Sequence, residues 1–185
     1  MPGLIVGLTV HEAAHAVTAK WLGDRTAERL GRVSLNPLRH LSPLGTLALF
    51  IIGIGWGRPV PVNLYNFKKP KLYYLLSSLA GPVSNLILSA LALGVLYLRP
   101  PFPVDWICTS IFIINALLAV FNLLPIPPLD GSKIWPCLIP GAKPAVSGKW
   151  NMIWMGVLVV AILSGLVDRV LGPVFGFLFS IMPAA

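Results

Sequence analysis

Residues 3–22, GLIVGLTVHEAAHAVTAKWL, form an apolar run with His11, Glu12 and His15 at its centre. At 1.5 Å per residue a helix of this length covers about 30 Å, the hydrocarbon thickness of a bilayer. Ionisable side chains inside such a segment are costly and mark function. On a helix, positions i and i+4 share one face. His11 and His15 can therefore reach one cation, with Glu12 beside them, placed to act on a water there.

The rest of the chain agrees with a membrane setting. Of its 185 residues, 56% are hydrophobic and 11% charged, whereas soluble domains carry about 25% charged residues. Six acidic residues cannot solvate a globule of this size. The expected fold is an all-α, polytopic integral membrane protein with a single membrane-embedded domain over 1–185. The net charge of +8 would suit nucleic acid, but the basic residues lie between apolar runs, as they do when they flank membrane spans. The lipid bilayer is thus the expected partner, and nucleic acid is not. Cys108 and Cys137 are isolated and make neither a disulfide framework nor a zinc-binding pair. No Lys or Arg precedes the first apolar run, so it reads as a retained helix and not as a signal peptide.

Asp24 to His40 is polar and basic. Residues 43–55 are apolar but short for a span, which suits a re-entrant segment. Gly53, Gly55 and Gly57 break it, and Arg58-Pro59-Val60-Pro61-Val62 reads as extended chain, because each proline disfavours the helical region for its predecessor. Residues 72–98 and 106–124 form long apolar helices, the first expected to bend at Gly81-Pro82. Pro125 to Gly131 cannot be regular helix. Residues 150–167 and 170–183 are two further apolar segments, divided at Asp168-Arg169. If 43–55 does not cross, Lys20 and the segments 23–42, 56–71 and 125–149 share one side and hold all the Lys and Arg except Arg99 and Arg169. That asymmetry places this side, with Asp130 and the end of the first helix, in the cytoplasm.

The pattern His11-Glu12-x-x-His15 is that of zinc hydrolases, in which three protein ligands leave one position open. A third ligand further along the same helix would need glycine and histidine where Thr18 and Trp21 stand, and Glu28 is the last glutamate. Asp24, His40, Asp105, Asp130 and Asp168 remain. Asp24 is too close along the chain to fold back easily, Asp105 and Asp168 lie on the opposite side, and His40 reads as a solvated loop histidine. Asp130 is favoured. It follows an incoming span in irregular backbone, which membrane depth tolerates where it lines a cavity. One Zn2+ with two neutral imidazoles, one aspartate and ionised Glu12 would be nearly neutral, so two carboxylates can be held at depth.

Four stretches taken together resemble the site-2 protease family of intramembrane zinc metalloproteases: His11 to His15; Gly55-Trp-Gly-Arg-Pro-Val-Pro-Val62; Ala80-Gly-Pro-Val-Ser-Asn85; and Asn122-Leu-Leu-Pro-Ile-Pro-Pro-Leu-Asp130-Gly131. They stand in the family's order over about two thirds of the chain. The resemblance implies a three-helix zinc-binding core within about 3–131, a short re-entrant or extended segment, and two further C-terminal helices within about 150–183. It is to the minimal type, without a PDZ or CBS module. It implies His11, His15 and Asp130 as ligands of one Zn2+ per chain, Glu12 as the catalytic glutamate, and Asn122 as a donor to the oxyanion. This chain reads Asp130-Gly-Ser-Lys133 where many members have Asp-Gly-Gly-Arg. Asn85 and Gly81 read as close helix packing, and the tryptophans as interfacial anchors. Gly57 to Val62 reads either as an edge for strand addition by substrate or as an ordinary membrane-dipping loop.

The expected function is hydrolysis of a peptide bond in or near a transmembrane segment of a membrane-protein substrate, in a prokaryotic cell membrane and reached from the cytoplasm. A CAAX-processing type of enzyme would need a downstream glutamate that the chain lacks. The alternative is a non-enzymatic metal-binding or transport component, for which Glu12 would have no need.

Overall fold

The computed structural model describes residues 2–52, 55–142 and 151–183. Among them eight α-helices occur: α1 (Pro2–Trp21), α2 (Thr26–Arg29), α3 (Pro43–Ile52), α4 (Pro70–Tyr97), α5 (Val104–Asn122), α6 (Gly131–Leu138), α7 (Asn151–Leu163) and α8 (Leu166–Ser180). No strand forms among the described residues; a lone antiparallel bridge joins Leu41 to Gly57. This is the expected all-α architecture. α4 and α5 are each long and apolar enough to cross a membrane, and α7 with α8 counts as a third candidate span if the bent pair is one span.

The core is the mutual packing of α1, α4 and α5. Its contacts follow a spacing of four residues, which keeps side chains on one helical face. On α1 the stripe is Gly3, Gly7, His11 and His15; on α4 it is Ser77, Gly81, Asn85 and Ser89, and all eight are buried. Small residues let the backbones approach. A methyl at Gly3 would strike the Ser110 carbonyl of α5, and one at Gly7 the Asn115 amide. α1 is as long as a span, but its polar stripe is turned inward onto α4. Apolar residues such as Leu86, Leu91 and Val95 of α4 face outward, as lipid contact requires.

The helix boundaries add detail to the sequence reading. α4 is a single helix that includes Gly81-Pro82. The C-terminal helices divide at Gly165, not at Asp168-Arg169. Gly165 takes the left-handed conformation (φ +73°), which lacks a steric penalty in glycine, and α7 and α8 meet there at 64°. Asp168 instead sits in the first turn of α8, where a carboxylate favours the helix dipole. The short helix α6, for which the sequence reading made no assignment, forms directly after Asp130 and contains Pro136. α3 has 10 residues, too few to cross a bilayer; Gly53, of the expected break, lies outside the described residues.

Candidate metal centre

One turn of α1 separates His11 from His15, and both rings point at the loop that links α5 to α6. There Asp130 stands immediately before α6. Its position depends on Gly131, where any Cβ would collide with the carbonyls of Leu123 and Leu124 at the end of α5. Trp135 Nε1 also donates to the Leu123 carbonyl at 2.9 Å, tying α6 to α5. The favoured third residue therefore arrives beside the histidine pair. His11 Nε2 and His15 Nε2 lie 3.0 Å apart, and each lies 3.0 Å from Asp130 Oδ2. Among the described residues these three form a buried group able to hold a metal ion.

The donor set fits a cation. His15 Nδ1 faces the Ser77 carbonyl at 2.7 Å, and His11 Nδ1 faces Asn85 Oδ1 at 2.6 Å. Carbonyl oxygens only accept, so each neutral ring carries its proton on Nδ1 and turns a lone pair at Nε2 inward. Two lone pairs and a carboxylate oxygen then converge with no proton to share. A cation satisfies all three, and two imidazoles with one carboxylate are a ligand set found in zinc hydrolases. Gly81 makes room for the two rings: a Cβ there would lie 2.6 Å from His11 Nε2 and closer still to His15 Nε2. The other Asp130 oxygen, Oδ1, accepts from Lys133 Nζ at 2.7 Å. Lys133, in the departure from the Asp-Gly-Gly-Arg pattern, thus supplies a cation that orients the carboxylate.

Glu12 and Asn122 open onto the same cavity of about 440 Å³ as the triad. Glu12 is buried, and its Oε2 accepts from the Val60 amide at 2.9 Å. Asn122, half-buried at the end of α5, donates through Nδ2 to the Leu118 carbonyl at 2.9 Å. Val60 belongs to the extended Gly57–Val62 segment, which forms a strap across the site. The strap is fixed at several points. Arg58 N donates to the His40 carbonyl at 2.7 Å, Arg32 donates to the Arg58 carbonyl, and Asn63 N donates to Asp24 Oδ2 at 2.7 Å. Prolines at 59 and 61 leave Val60 as the amide donor between them, and Glu12 engages it. A substrate strand would have to displace Glu12 to pair there.

His40 was expected in solvent. It is fully buried, its Nε2 bonded to the Ser34 carbonyl at 2.7 Å, because the 24–40 loop folds under the strap instead of extending into water. Asp24 is also fully buried and serves as a hub: besides Asn63 it accepts from Thr26 N and Oγ1 and from Asn66 Nδ2. Burial pushes its carboxyl up, but the hydrogen bonds from Thr26, Asn66 and Asn63 outweigh that and hold it below the ordinary value. Asp105 and Asp168 lie exposed in the first turns of α5 and α8, away from the triad. Asn85 and Ser77 were not singled out as partners of the histidines. Their four-residue spacing with Gly81, a polar stripe on an apolar helix, was the signal that could have found them.

The sequence model of peptidase family M50 matches residues 103–165. The YwhC protein of Bacillus subtilis is 46% identical over 147 residues, which are 74% of this chain and 67% of the relative. The Rip2 protein of Mycolicibacterium smegmatis is 32% identical over 169 residues, 85% of this chain and 65% of the relative. The MJ0611 protein of Methanocaldococcus jannaschii is 31% identical over 130 residues, 69% and 64% of the two chains. The name of each of the three includes the words zinc metalloprotease. The chain spans about two thirds of the length of these curated relatives. No solved structure gives a significant match. The buried triad of His11, His15 and Asp130 and these likenesses agree: the chain belongs to peptidase family M50, the site-2 protease family, and is a membrane zinc metalloprotease.

Proposed function

We propose that this protease cleaves a peptide bond in or near a transmembrane segment of a membrane-protein substrate, at a site reached from the cytoplasm. In this reading His11, His15 and Asp130 hold the zinc, Glu12 moves the proton, and Asn122 donates to the reacting carbonyl oxygen. The observation that carries it is the convergence of His11 Nε2, His15 Nε2 and Asp130 Oδ2 within 3.0 Å of one another, in a cavity that Glu12 also lines. The cytoplasmic side is favoured by the basic residues that crowd the loops around Lys20, Arg58 and Lys133.

Bound zinc supplies Lewis acidity, which brings a water toward neutral pKa and polarises a carbonyl. Glu12 accepts the proton of the attacking water and passes it to the leaving amine. Val60 holds the Glu12 carboxylate in place between these steps. One Asn122 Nδ2 hydrogen serves the Leu118 carbonyl and the second is available to the developing oxyanion. Lys133 and Asn85 keep Asp130 and His11 aimed inward. A helical substrate must unwind locally to present its carbonyl, since helical carbonyls are already hydrogen-bonded.

The test is cleavage of a single-span substrate by the purified protein in proteoliposomes. Glu12→Ala is expected to abolish cleavage while zinc stays bound; persisting cleavage refutes Glu12 as the proton carrier. Zinc conduction into the vesicles with no cleavage would instead support the transport reading.

A further inference from the structure

Asn85 and Asn115 are both fully buried, on neighbouring helices, and neither lines the cavity. We propose that they form a positioning relay that fixes which nitrogen of His11 faces the zinc. This rests on the reading of His11 as a zinc ligand.

The relay starts from backbone carbonyls. Asn115 Nδ2 donates to the Gly3 carbonyl of α1 at 3.2 Å and to the Ile111 carbonyl of its own helix at 2.8 Å. Carbonyls only accept, so the amide nitrogen must lie on this side and Oδ1 on the other. Asn115 Oδ1 accepts from Asn85 Nδ2 at 2.7 Å, and the second Asn85 hydrogen goes to the Gly7 carbonyl at 3.1 Å. Both donors of Asn85 are then used, and its Oδ1 is turned to His11 Nδ1 at 2.6 Å. An amide oxygen only accepts, so the ring proton stays on Nδ1 and the lone pair at Nε2 faces His15 and Asp130.

Flipping Asn85 would set its oxygen against Asn115 Oδ1 and the Gly7 carbonyl, and its NH2 against His11 Nδ1–H. Both amides are fully buried, so such a mismatch would leave polar groups without partners at a high cost. Gly7 is part of the device, because a Cβ there would strike the Asn115 amide. Asn115 therefore acts on the zinc site from two hydrogen bonds away, through orientation alone.

The experiment uses the purified full chain in detergent, with zinc affinity read by chelator competition. The variants are Asn85→Leu, Asn115→Leu, His11→Ala and Ser89→Ala. Ser89 Oγ donates to the Phe112 carbonyl at 2.8 Å, so its loss removes a buried α4–α5 hydrogen bond without touching the relay. Loss of an outer partner of a ligating histidine costs about 10- to 100-fold in metal affinity. That loss is expected for Asn85→Leu and Asn115→Leu, and none for Ser89→Ala. The chain has three histidines, so 15N spectra of the metal-free protein can assign each ring. His11 should carry its proton on Nδ1 in the wild type and lose that preference in Asn85→Leu. Unchanged affinity and tautomer in Asn85→Leu, with zinc lost in His11→Ala, overturns the relay alone. Equal weakening in Ser89→Ala also overturns it. Wild-type affinity in His11→Ala overturns the ligand reading itself. Should Asn85→Leu fail to fold, the His11 tautomer in Asn115→Ala decides.

Discussion

The Val60 amide donates to the Glu12 carboxylate at 2.9 Å, which joins α1 to an extended strap 48 positions further along the chain. The strap has little regular secondary structure of its own. Arg32, His40 and Asp24 hold it by hydrogen bonds from the loop after α1, so the geometry of Glu12 depends on residues outside the cavity.

Arg32 is buried and grips the Arg58 carbonyl two residues before Val60. Arg32→Leu should let the strap shift while leaving the triad intact. Misplacement of a catalytic group by about 1 Å can cost about 100-fold in rate. The expected result is a 10- to 100-fold fall in kcat, on the order of that misplacement cost, with normal zinc content. An unchanged kcat would separate the strap from catalysis.

Gly81 shows the opposite pattern. Gly81→Ala places a methyl against the Nε2 atoms of both histidines. Alanine is a better helix former than glycine, so α4 should keep its helicity by circular dichroism while zinc content and cleavage fall together. A variant that binds zinc normally would mean that the rings can retreat from α4.

Asp24 gives a pH dependence. Its folded carboxyl titrates below the unfolded value of about 3.9. Its stabilising effect is therefore fully present above that value and drains as pH falls through the folded one. Thermal unfolding should show a lower Tm on acidification below about pH 4, and Asp24→Asn should flatten that dependence. Asp24→Ala orphans the Asn63 amide and Asn66 and should cost roughly 2–4 kcal/mol. A Tm of Asp24→Asn that falls with acid as steeply as the wild type would assign the effect elsewhere.

Asn122 donates through Nδ2 to the Leu118 carbonyl and lines the cavity. Asn122→Ala should lower kcat by about 10²–10³, the usual cost of losing an oxyanion donor, with KM and zinc content little changed. A change confined to KM would make it a substrate-binding residue instead.

The helices and the triad were legible in the sequence for physical reasons. Long apolar runs have one stable solution in lipid, and the His11–His15 spacing fixes a shared face whatever surrounds it. Asp130 was reachable by eliminating other carboxylates, since the chain has so few. What stayed hidden depends on long-range pairing. His40 and Asp24 read as loop residues because nothing local reveals that the strap will lie over them. Asn85 read as packing because an amide buried among helices looks the same whether its partner is backbone or a histidine. The division at Gly165 was missed because the charged pair Asp168-Arg169 is the louder local signal, while a left-handed glycine is silent in hydropathy.

Elemental analysis of the purified protein under non-chelating conditions, wild type beside Asp130→Ala, goes to the centre of the account. About one zinc per chain is expected in the wild type and little in the variant, because two imidazoles alone leave the ion short of the three protein ligands a hydrolytic site needs. Full zinc occupancy in Asp130→Ala would contradict the triad of His11, His15 and Asp130 as the metal site.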